Sequence, residues 1–407
     1  MTQPRKGPRP MPLHLMAAGM VSTSSSAAWS LLKSGWTPWS KSLLPKGNAL
    51  QKDLENVNPE AFSAALLDEL NRRHAGFLDG LEKYRAHEAH RTLETPPVLW
   101  ESGSTRLLDY GATAPAAKSG RPVLVVPSLV NRSYIMDLTA DRSFLRYLAT
   151  NGFRPLLVDW GTPGPADLQK SLDDYIAGDL VSALDIAVGI ANGHAVPVIG
   201  YCMGGTLAAA LSVLQPDQIS ALVLMAAPWD FHADTGGPPP ALAAARPALE
   251  NQIATLGHLP VDTLQAMFFA LDPLQGWTKF QAFSEMNPGA AAALKFVALE
   301  DWLNDGVPLA GDVARTCLFG WYGDNEPACG TWKIAGHVID PAQIACPTLG
   351  VLPSEDRIVP PASAQALVDK TPNAELLSPK AGHIGMMVGS KATTELWSPL
   401  SEWLSKH

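Results

Sequence analysis

The chain has 407 residues, of which 46% are hydrophobic and 17% are charged, a composition typical of a globular protein with a sizeable core. Its length suits one large α/β core with an inserted or appended subdomain. The net charge of −9 argues against nucleic acid as a partner, because phosphate binding needs clustered basic residues, but it does not exclude an anionic small molecule.

The first segment, residues 1–95, differs from the rest of the chain. Its basic start and short apolar run at 11–21 faintly resemble an export signal, but His14 and four early prolines interrupt the pattern, so we expect a cytoplasmic protein. No window is apolar enough for a transmembrane segment. Apolar residues at helical spacing predict an amphipathic helix over 60–84. We interpret residues 1–95 as an N-terminal appendage, partly disordered and partly helical, that either serves interactions or packs on its own domain.

From about residue 96, short apolar runs alternate with amphipathic segments. Such runs are typical of strands buried on both faces of a parallel sheet. Six strands are predicted, at 122–127, 154–159, 195–200, 221–226, 347–352 and 374–377. Helices are predicted between them, at 141–150, 171–190 and 206–214. This alternation predicts an α/β fold with a mostly parallel, doubly wound sheet.

The most informative motif is Gly200-Tyr201-Cys202-Met203-Gly204, which lies between a predicted strand and a predicted helix. A sharp turn with flanking glycines in this context is the nucleophile elbow of the α/β-hydrolase fold, and it predicts Cys202 as the nucleophile. The alternative is a buried structural thiol. The alternation of strands and helices stops between 229 and 340, which we interpret as a cap over the site. The core is then divided into residues 96–228 and 341–407.

A nucleophile needs a base, and the base needs an acid that orients it. Asp356 follows the predicted strand 347–352, and His383 follows the strand at 374–377. The order nucleophile, acid, histidine is that of α/β-hydrolases, so we predict a triad. Considered without the other, Asp356 would be a turn or helix-cap residue, and His383 a surface histidine with its hydrogen bonds satisfied. Glu355 is the rival acid.

The backbone N–H of Met203, directly after the nucleophile, is predicted to form an oxyanion hole with the N–H of Val130 in the loop after the first strand. A thiolate at a helix N-terminus beside a histidine is both a strong nucleophile and a good leaving group. Cysteine at this position therefore favours acyl transfer to a hydroxyl, without proving it. The other cysteines (Cys317, Cys329 and Cys346) are too few for a disulfide framework.

Several short motifs between residue 100 and the end occur in a characteristic order. They are Val130–Tyr134, Asp159-Trp160-Gly161, Leu172–Tyr175, Gly200–Thr206, Glu300-Asp301-Trp302, Asp356–Pro360 and Gly382–Gly385. Together they resemble the polyhydroxyalkanoate (PHA) synthases. Most of the motifs are similar to the short class III type, in particular Asp159–Gly161 and a further stretch at Gly389–Lys391, whereas Tyr201–Thr206 is more like the longer classes.

The resemblance implies an acyltransferase that joins (R)-3-hydroxyacyl-CoA monomers into a growing polyester and releases CoA. It implies Cys202 as the acyl-bearing nucleophile, His383 as general base, and Asp356 as the acid that orients it or helps to activate the hydroxyl. It further implies a homodimer in the cytoplasm at the surface of polymer granules, with no cofactor and no metal. Whether the enzyme also needs an accessory synthase subunit stays open.

Two departures from the family pattern are Arg357, where the family commonly has histidine, and an N-terminal appendage longer than that of the short class. Two rival functions stay open. A PHA depolymerase or a thioesterase would use the same triad with water as the acceptor. A granule-binding scaffold would carry a vestigial site and would not become acylated on Cys202.

Overall fold

The computed structural model describes residues 5–407. By their contacts these residues form two compact units. The small unit consists of the residues up to His90 together with Gln265–Asn304, and the large unit consists of Arg91–Leu264 together with Asp305–His407. This division groups residues by their contacts, whereas the sequence analysis divides the chain by pattern into 1–95, 96–228, 229–340 and 341–407. Those four segments remain a prediction.

An eight-stranded sheet organises the large unit, in the order β1-β2-β6-β3-β7-β8-β13-β14, and three small two-stranded ladders accompany it. The strands are β1 Val98–Ser102, β2 Thr105–Asp109, β3 Arg121–Val126, β4 Asp137–Thr139, β5 Arg142–Ser143, β6 Phe153–Asp159, β7 Val196–Tyr201, β8 Ile219–Met225, β9 His258–Leu259, β10 Leu309–Ala310, β11 Lys333–Ile334, β12 His337–Val338, β13 Thr348–Val351 and β14 Ala374–Leu377.

Six strands of the large sheet (β6, β3, β7, β8, β13 and β14, in their order across the sheet) run parallel to one another. They are the six strands that the apolar runs predict. The side chains of β3, β7 and β8 are almost wholly buried, as expected for strands covered on both faces. The sequence analysis missed the hairpin of β1 and β2, which adds two antiparallel strands at one edge. All of β1 is exposed or half-buried, and its apolar run is only three residues long, from Val98 to Trp100.

The α-helices are α1 Met11–Ala27, α2 Trp29–Ser34, α3 Leu44–Leu54, α4 Pro59–Ala86, α5 Phe144–Thr150, α6 Val181–Ile190, α7 Met203–Leu214, α8 Pro240–Leu256, α9 Val261–Leu271, α10 Gln275–Ser284, α11 Ala291–Asn304, α12 Gly311–Arg315, α13 Glu326–Cys329, α14 Pro361–Lys370, α15 Gly385–Val388 and α16 Ser398–Leu404. Short 3₁₀ helices occupy Tyr110–Thr113, Pro115–Ser119, Ser133–Met136, Asp167–Gln169, Pro216–Gln218 and Pro341–Gln343, and π-helical turns occupy Asp174–Leu180, Thr316–Trp321 and Thr393–Trp397.

The helices predicted between the strands are present in the structure. The prediction over 141–150 becomes α5, whose start is capped by the Ser143 hydroxyl accepting the Arg146 N–H at 3.1 Å. The prediction over 206–214 becomes α7, which begins three residues earlier, directly after Cys202. The prediction over 171–190 becomes a π-helical turn followed by α6. The α/β alternation is therefore confirmed.

In the small unit, α4 confirms the helix predicted over 60–84. Asn58 caps it, because its side-chain oxygen accepts the N–H groups of Glu60 and Ala61 at 2.9 and 3.1 Å. The apolar face of α4 packs with α10 and α11 in a core that contains Phe77, Tyr84, Trp277, Phe280 and Val297. The Tyr84 hydroxyl donates to Asp301 at 2.9 Å.

The Glu300-Asp301-Trp302 motif also lies in this small unit, on α11. Asp301 accepts a hydrogen bond from Arg5 at 2.8 Å, and buried Glu300 forms an ion pair with Lys279 at 2.6 Å. These acidic side chains therefore join helices of the small unit. In the part of the chain from residue 5 onward, none of the helices is both long enough and apolar enough to cross a membrane.

Candidate active site

Cys202 occupies the turn between β7 and α7. Its backbone has φ 56° and ψ −129°, in the left-handed half of conformational space that a non-glycine residue rarely adopts. The Cys202 N–H donates to Met225 O at 2.8 Å, and the Gly205 N–H donates to Cys202 O at 2.8 Å. These bonds hold the turn in its strained form, with the half-buried cysteine at the carboxyl edge of the parallel sheet.

The glycines of the elbow are required by close backbone approaches. A Cβ on Gly200 would lie 2.5 Å from the Gly205 Cα. A Cβ on Gly204 would overlap the backbone carbonyls of Val126 and Pro127, which end β3 and start the next loop. The helix that follows Cys202 can therefore start directly against the end of β3 and the beginning of the loop that carries Val130.

Asp356 and His383 come from two loops that follow neighbouring parallel strands, β13 and β14. Backbone hydrogen bonds join these loops, since the Ser354 and Glu355 N–H groups donate to Pro379 O and Ala381 O, each at 3.0 Å. The His383 Nδ1 donates to Asp356 Oδ2 at 2.7 Å, and both side chains are buried. The structure therefore brings the predicted acid and base together.

The other oxygen of Asp356 has its own partners. Asp356 Oδ1 accepts hydrogen bonds from the backbone N–H groups of Ile358 and Val359 at 2.8 and 2.9 Å. These bonds fix the orientation of the carboxylate independently of His383. Glu355, the rival acid, is exposed. On this geometry the interpretation of Asp356 as the acid is preferred to Glu355, although its catalytic role stays a prediction.

The electrostatics of His383 link it to Cys202 on its other side. Burial alone lowers the pKa of His383, but the nearby negative charge of Cys202 and the hydrogen bond to Asp356 raise this pKa to about 10. The stability that the charged ring contributes is therefore fully present below its ordinary pKa of 6.5 and is lost as the pH rises through about 10. A thiolate–imidazolium pair is the form of a cysteine nucleophile that is ready to attack.

A substitution can test this coupling directly. In Cys202→Ala the thiolate charge is gone, so the pKa of His383 should fall below its value in the unmodified chain. Titration of the ring signals by NMR with ¹³C-labelled histidine would measure it, and exposed Cys329→Ala should leave the value unchanged. Equal His383 pKa values in the unmodified chain and Cys202→Ala would show that the two side chains do not interact.

The oxyanion-hole prediction concerns two backbone groups. Met203 is the first residue of α7, so its N–H has no partner within that helix. The Val130 N–H donates to the Ser128 hydroxyl at 3.2 Å. The next residues are held to another loop of the large unit, by a bridge between Asn131 and Gly306. Val130 stays a prediction, because its N–H must exchange the Ser128 oxygen for a substrate oxygen in order to act.

Tyr201 is a site residue that the sequence analysis missed. Its ring stacks on His383 with centroids 5.2 Å apart, and its hydroxyl donates to His383 O at 3.3 Å. Complete burial and the nearby charges of Cys202 and Asp356 raise the pKa of Tyr201, so the hydroxyl stays protonated and remains a donor. The signal was its place inside the elbow motif, but only the folded structure shows what the ring contacts.

A group of aromatic side chains, here called the aromatic wall, lies in the large unit within the predicted cap region. Trp229, Trp321 and Trp332 are buried and pack edge to face, and Phe231 meets Tyr322 with centroids 4.8 Å apart. The wall is therefore a buried aromatic cluster of the large unit, whereas the apolar side chains packed around Cys202 are Leu352, Val359, Ala364 and Val368.

The remaining side chains give no sign of a metal centre. Within residues 5–407, no group of three or more His, Cys, Asp and Glu side chains is arranged so that it could hold a metal ion.

Comparison with known proteins gives two matching families. The sequence profile of the alpha/beta hydrolase fold family matches residues 121–390, and that of the poly-beta-hydroxybutyrate polymerase (PhaC) N-terminus matches residues 66–148. An alpha/beta hydrolase fold protein of known structure from Nakamurella multipartita is 20% identical over 76% of this chain and 99% of that chain, with a TM-score of 0.42. That similarity is too low to bear on function.

Three relatives share the name poly(3-hydroxyalkanoate) polymerase subunit PhaC. The one from Allochromatium vinosum is 31% identical, over 86% of this chain and 99% of the relative. The one from Synechocystis is 32% identical, over 70% of this chain and 78% of the relative. The one from Haloferax mediterranei is 30% identical over 76% of this chain, and the match spans only 63% of that longer relative. With its fold and its family matches, this chain belongs to the poly(3-hydroxyalkanoate) polymerase (PhaC) family of alpha/beta hydrolase fold proteins.

Proposed function

We propose that this chain is an acyltransferase that polymerises (R)-3-hydroxyacyl-CoA into polyhydroxyalkanoate through an acyl group carried on Cys202. The observation that carries the proposal is the strained Cys202 turn beside the buried His383–Asp356 pair. Membership of the PhaC family supports the polyester product, since the relatives are named poly(3-hydroxyalkanoate) polymerases.

In the first half-reaction His383 holds the proton of the Cys202 thiol, and the thiolate attacks the carbonyl carbon of the CoA thioester. The carbonyl oxygen becomes an oxyanion that accepts hydrogen bonds from the N–H of Met203 and, as we propose, that of Val130. When the intermediate collapses, the C–S bond to CoA breaks and His383 returns its proton to the departing thiolate. The products are free CoA and an acyl-Cys202 thioester.

In the second half-reaction the hydroxyl of another hydroxyacyl-CoA attacks the acyl-Cys202 carbonyl. His383 takes the hydroxyl proton, an ester bond forms, and the Cys202 thiolate leaves. The lengthened CoA ester then acylates Cys202 again and releases its CoA. Asp356 keeps the Nδ1–H of His383 in place in both halves, because its other oxygen is fixed by the loop backbone.

Water would turn the same thioester into a free acid, so transfer requires that water be kept from acyl-Cys202. We propose that the aromatic wall does this, as part of a cap within the predicted segment 229–340. Its rings (Trp229, Trp321 and Trp332) are buried in the large unit, which also contains the half-buried Cys202.

A product assay tests the proposal. The purified chain is incubated with (R)-3-hydroxybutyryl-CoA, and free CoA, free hydroxyacid and polymer are measured together. We expect CoA release matched by polymer. CoA release matched by free acid would instead identify a hydrolase, and the absence of CoA release would leave a binding protein.

Arg357 allows a test of the hydroxyl-activation step. It is exposed, directly after buried Asp356, at a position where the family commonly has histidine. Because the Asp356–His383 bond does not involve this side chain, Arg357→His should preserve or raise the polymer yield in the same assay. A complete loss of polymer with normal expression would show that hydroxyl activation here differs from the family pattern.

We further propose a homodimer that works in the cytoplasm at the surface of the polymer granule. The insolubility of a long polyester supports the location, and the word subunit in the relatives' names supports an accessory partner. Light scattering of the purified chain measures its oligomeric state. Activity of the chain alone in the product assay would show that no partner is needed.

A further inference from the structure

The charges of the chain are unevenly distributed. Residues 11–52 contain four lysines (Lys33, Lys41, Lys46 and Lys52) and none of the 39 Asp and Glu residues. The chain as a whole has a net charge of −9, so this segment is a cationic part of an acidic protein. Such an asymmetry creates a local positive potential that attracts an anionic partner.

The same segment exposes large apolar side chains. On α1, Ala17 and Ala18 face the core of the small unit, whereas Leu15, Met16 and Met20 are exposed. Further along, Leu31 of α2 is 54% exposed and Trp36 is 82% exposed. Leu43, Leu44 and Leu50, in and around α3, are also exposed. Single exposed apolar residues are normal, but this many within one short segment is typical of an interaction surface.

Two tryptophans of this segment, Trp29 and Trp39, are packed against neighbouring residues, whereas Trp36 is exposed to solvent. Trp29 stacks on Phe62 of α4 with ring centroids 4.2 Å apart, and the Lys33 ammonium lies 5.5 Å from the Trp29 ring. The Trp39 ring lies so close to Gly47 that a Cβ there would overlap it. Trp36, in the loop between these two anchored tryptophans, is the most exposed of the large apolar side chains.

Lysine next to exposed tryptophan, leucine and methionine is the composition of helices that lie in the interface of an anionic lipid surface. Nucleic acid would account for the lysines but not for the apolar side chains. A second copy of the same surface would place positive charge against positive charge. We propose that residues 11–52 form a lipid-docking surface that binds anionic phospholipid, with Lys33, Lys41 and Lys46 facing the headgroups and Trp36 entering the interface.

Vesicle binding by the full chain tests this, without substrate and so independently of the proposed function. We expect co-sedimentation with phosphatidylglycerol-containing vesicles but not with pure phosphatidylcholine, and release at about 0.5 M salt, where exposed charges are screened. Replacing Lys33, Lys41 and Lys46 together by glutamine should weaken binding about a hundredfold, at roughly fivefold per lysine.

The matched control replaces three exposed lysines of the large unit, Lys118, Lys333 and Lys406, by glutamine. This variant has the same net charge and should bind as the unmodified chain does. Trp36→Ala should weaken binding several-fold while leaving its salt dependence unchanged. Equal loss in the two triple variants, absence of vesicle binding, or preference for duplex DNA or for self-association over vesicles would overturn the proposal.

Discussion

Cys202→Ala is expected to reduce CoA release from (R)-3-hydroxybutyryl-CoA to background, a loss of at least about four orders of magnitude. The reason is that neither half-reaction has an alternative group to carry the acyl chain. Alanine is as well suited as cysteine to the backbone of the elbow, since both are L-residues at the same φ of 56°. The fold should therefore be kept, which circular dichroism and thermal unfolding would check.

The other three cysteines supply the controls. Cys329 is exposed and Cys346 half-buried, so alanine at either position should change turnover by less than about twofold. Cys317 is buried, and alanine there is expected to lower stability slightly while turnover per folded molecule is preserved. Near-normal CoA release by Cys202→Ala would refute the mechanism.

The second large effect is expected at His383. His383→Ala removes the base for the thiol and for the incoming hydroxyl, so both acylation and elongation should fail, by on the order of 10⁴-fold. Asp356→Asn should be milder. Its oxygen can still accept the N–H groups of Ile358 and Val359, so the loop keeps its shape while the support for His383 is lost. We expect this variant to acylate Cys202 but to elongate about a hundredfold more slowly.

Glu355→Gln is the matched control for Asp356→Asn. The two carboxylates are adjacent in sequence, but Glu355 is exposed whereas Asp356 is buried against His383. Single-turnover acylation and steady-state elongation, measured separately, should both be normal in Glu355→Gln. If Glu355→Gln were the damaging change, the acid assignment would be wrong by one residue, and if neither change mattered the triad would have to be abandoned.

The parallel part of the sheet could be predicted because its strands are buried on both faces. Their apolar runs, such as 122–127 and 195–200, are then continuous, and the helices between them follow from alternation. The edge hairpin of β1 and β2 could not be predicted in this way. β1 is an edge strand whose residues are all exposed or half-buried, and its three apolar residues (Val98 to Trp100) are too short a run to predict a strand.

Those residues of the candidate site that are marked by a local motif or by their position after a strand could be predicted from the sequence. Cys202 is marked by the glycines that its turn requires, and Asp356 and His383 by their places after successive strands. The stacking of Tyr201 on His383 depends on a distance across the fold, which spacing along the sequence does not encode. The composition of the small unit could not be predicted for the same reason. Its second part, Gln265–Asn304, packs with helices that lie some two hundred positions earlier in the chain.

The central claim is that Cys202 carries the growing acyl chain, and one measurement tests it most directly. The enzyme is mixed with (R)-3-hydroxybutyryl-CoA, quenched with acid within the first turnovers, digested and analysed by mass spectrometry. The account predicts that the peptide containing Cys202 gains one or more 3-hydroxybutyryl units, and that the peptides containing Cys317, Cys329 and Cys346 do not. An unmodified Cys202 peptide while CoA is being released, or the acyl chain on another residue, would contradict it.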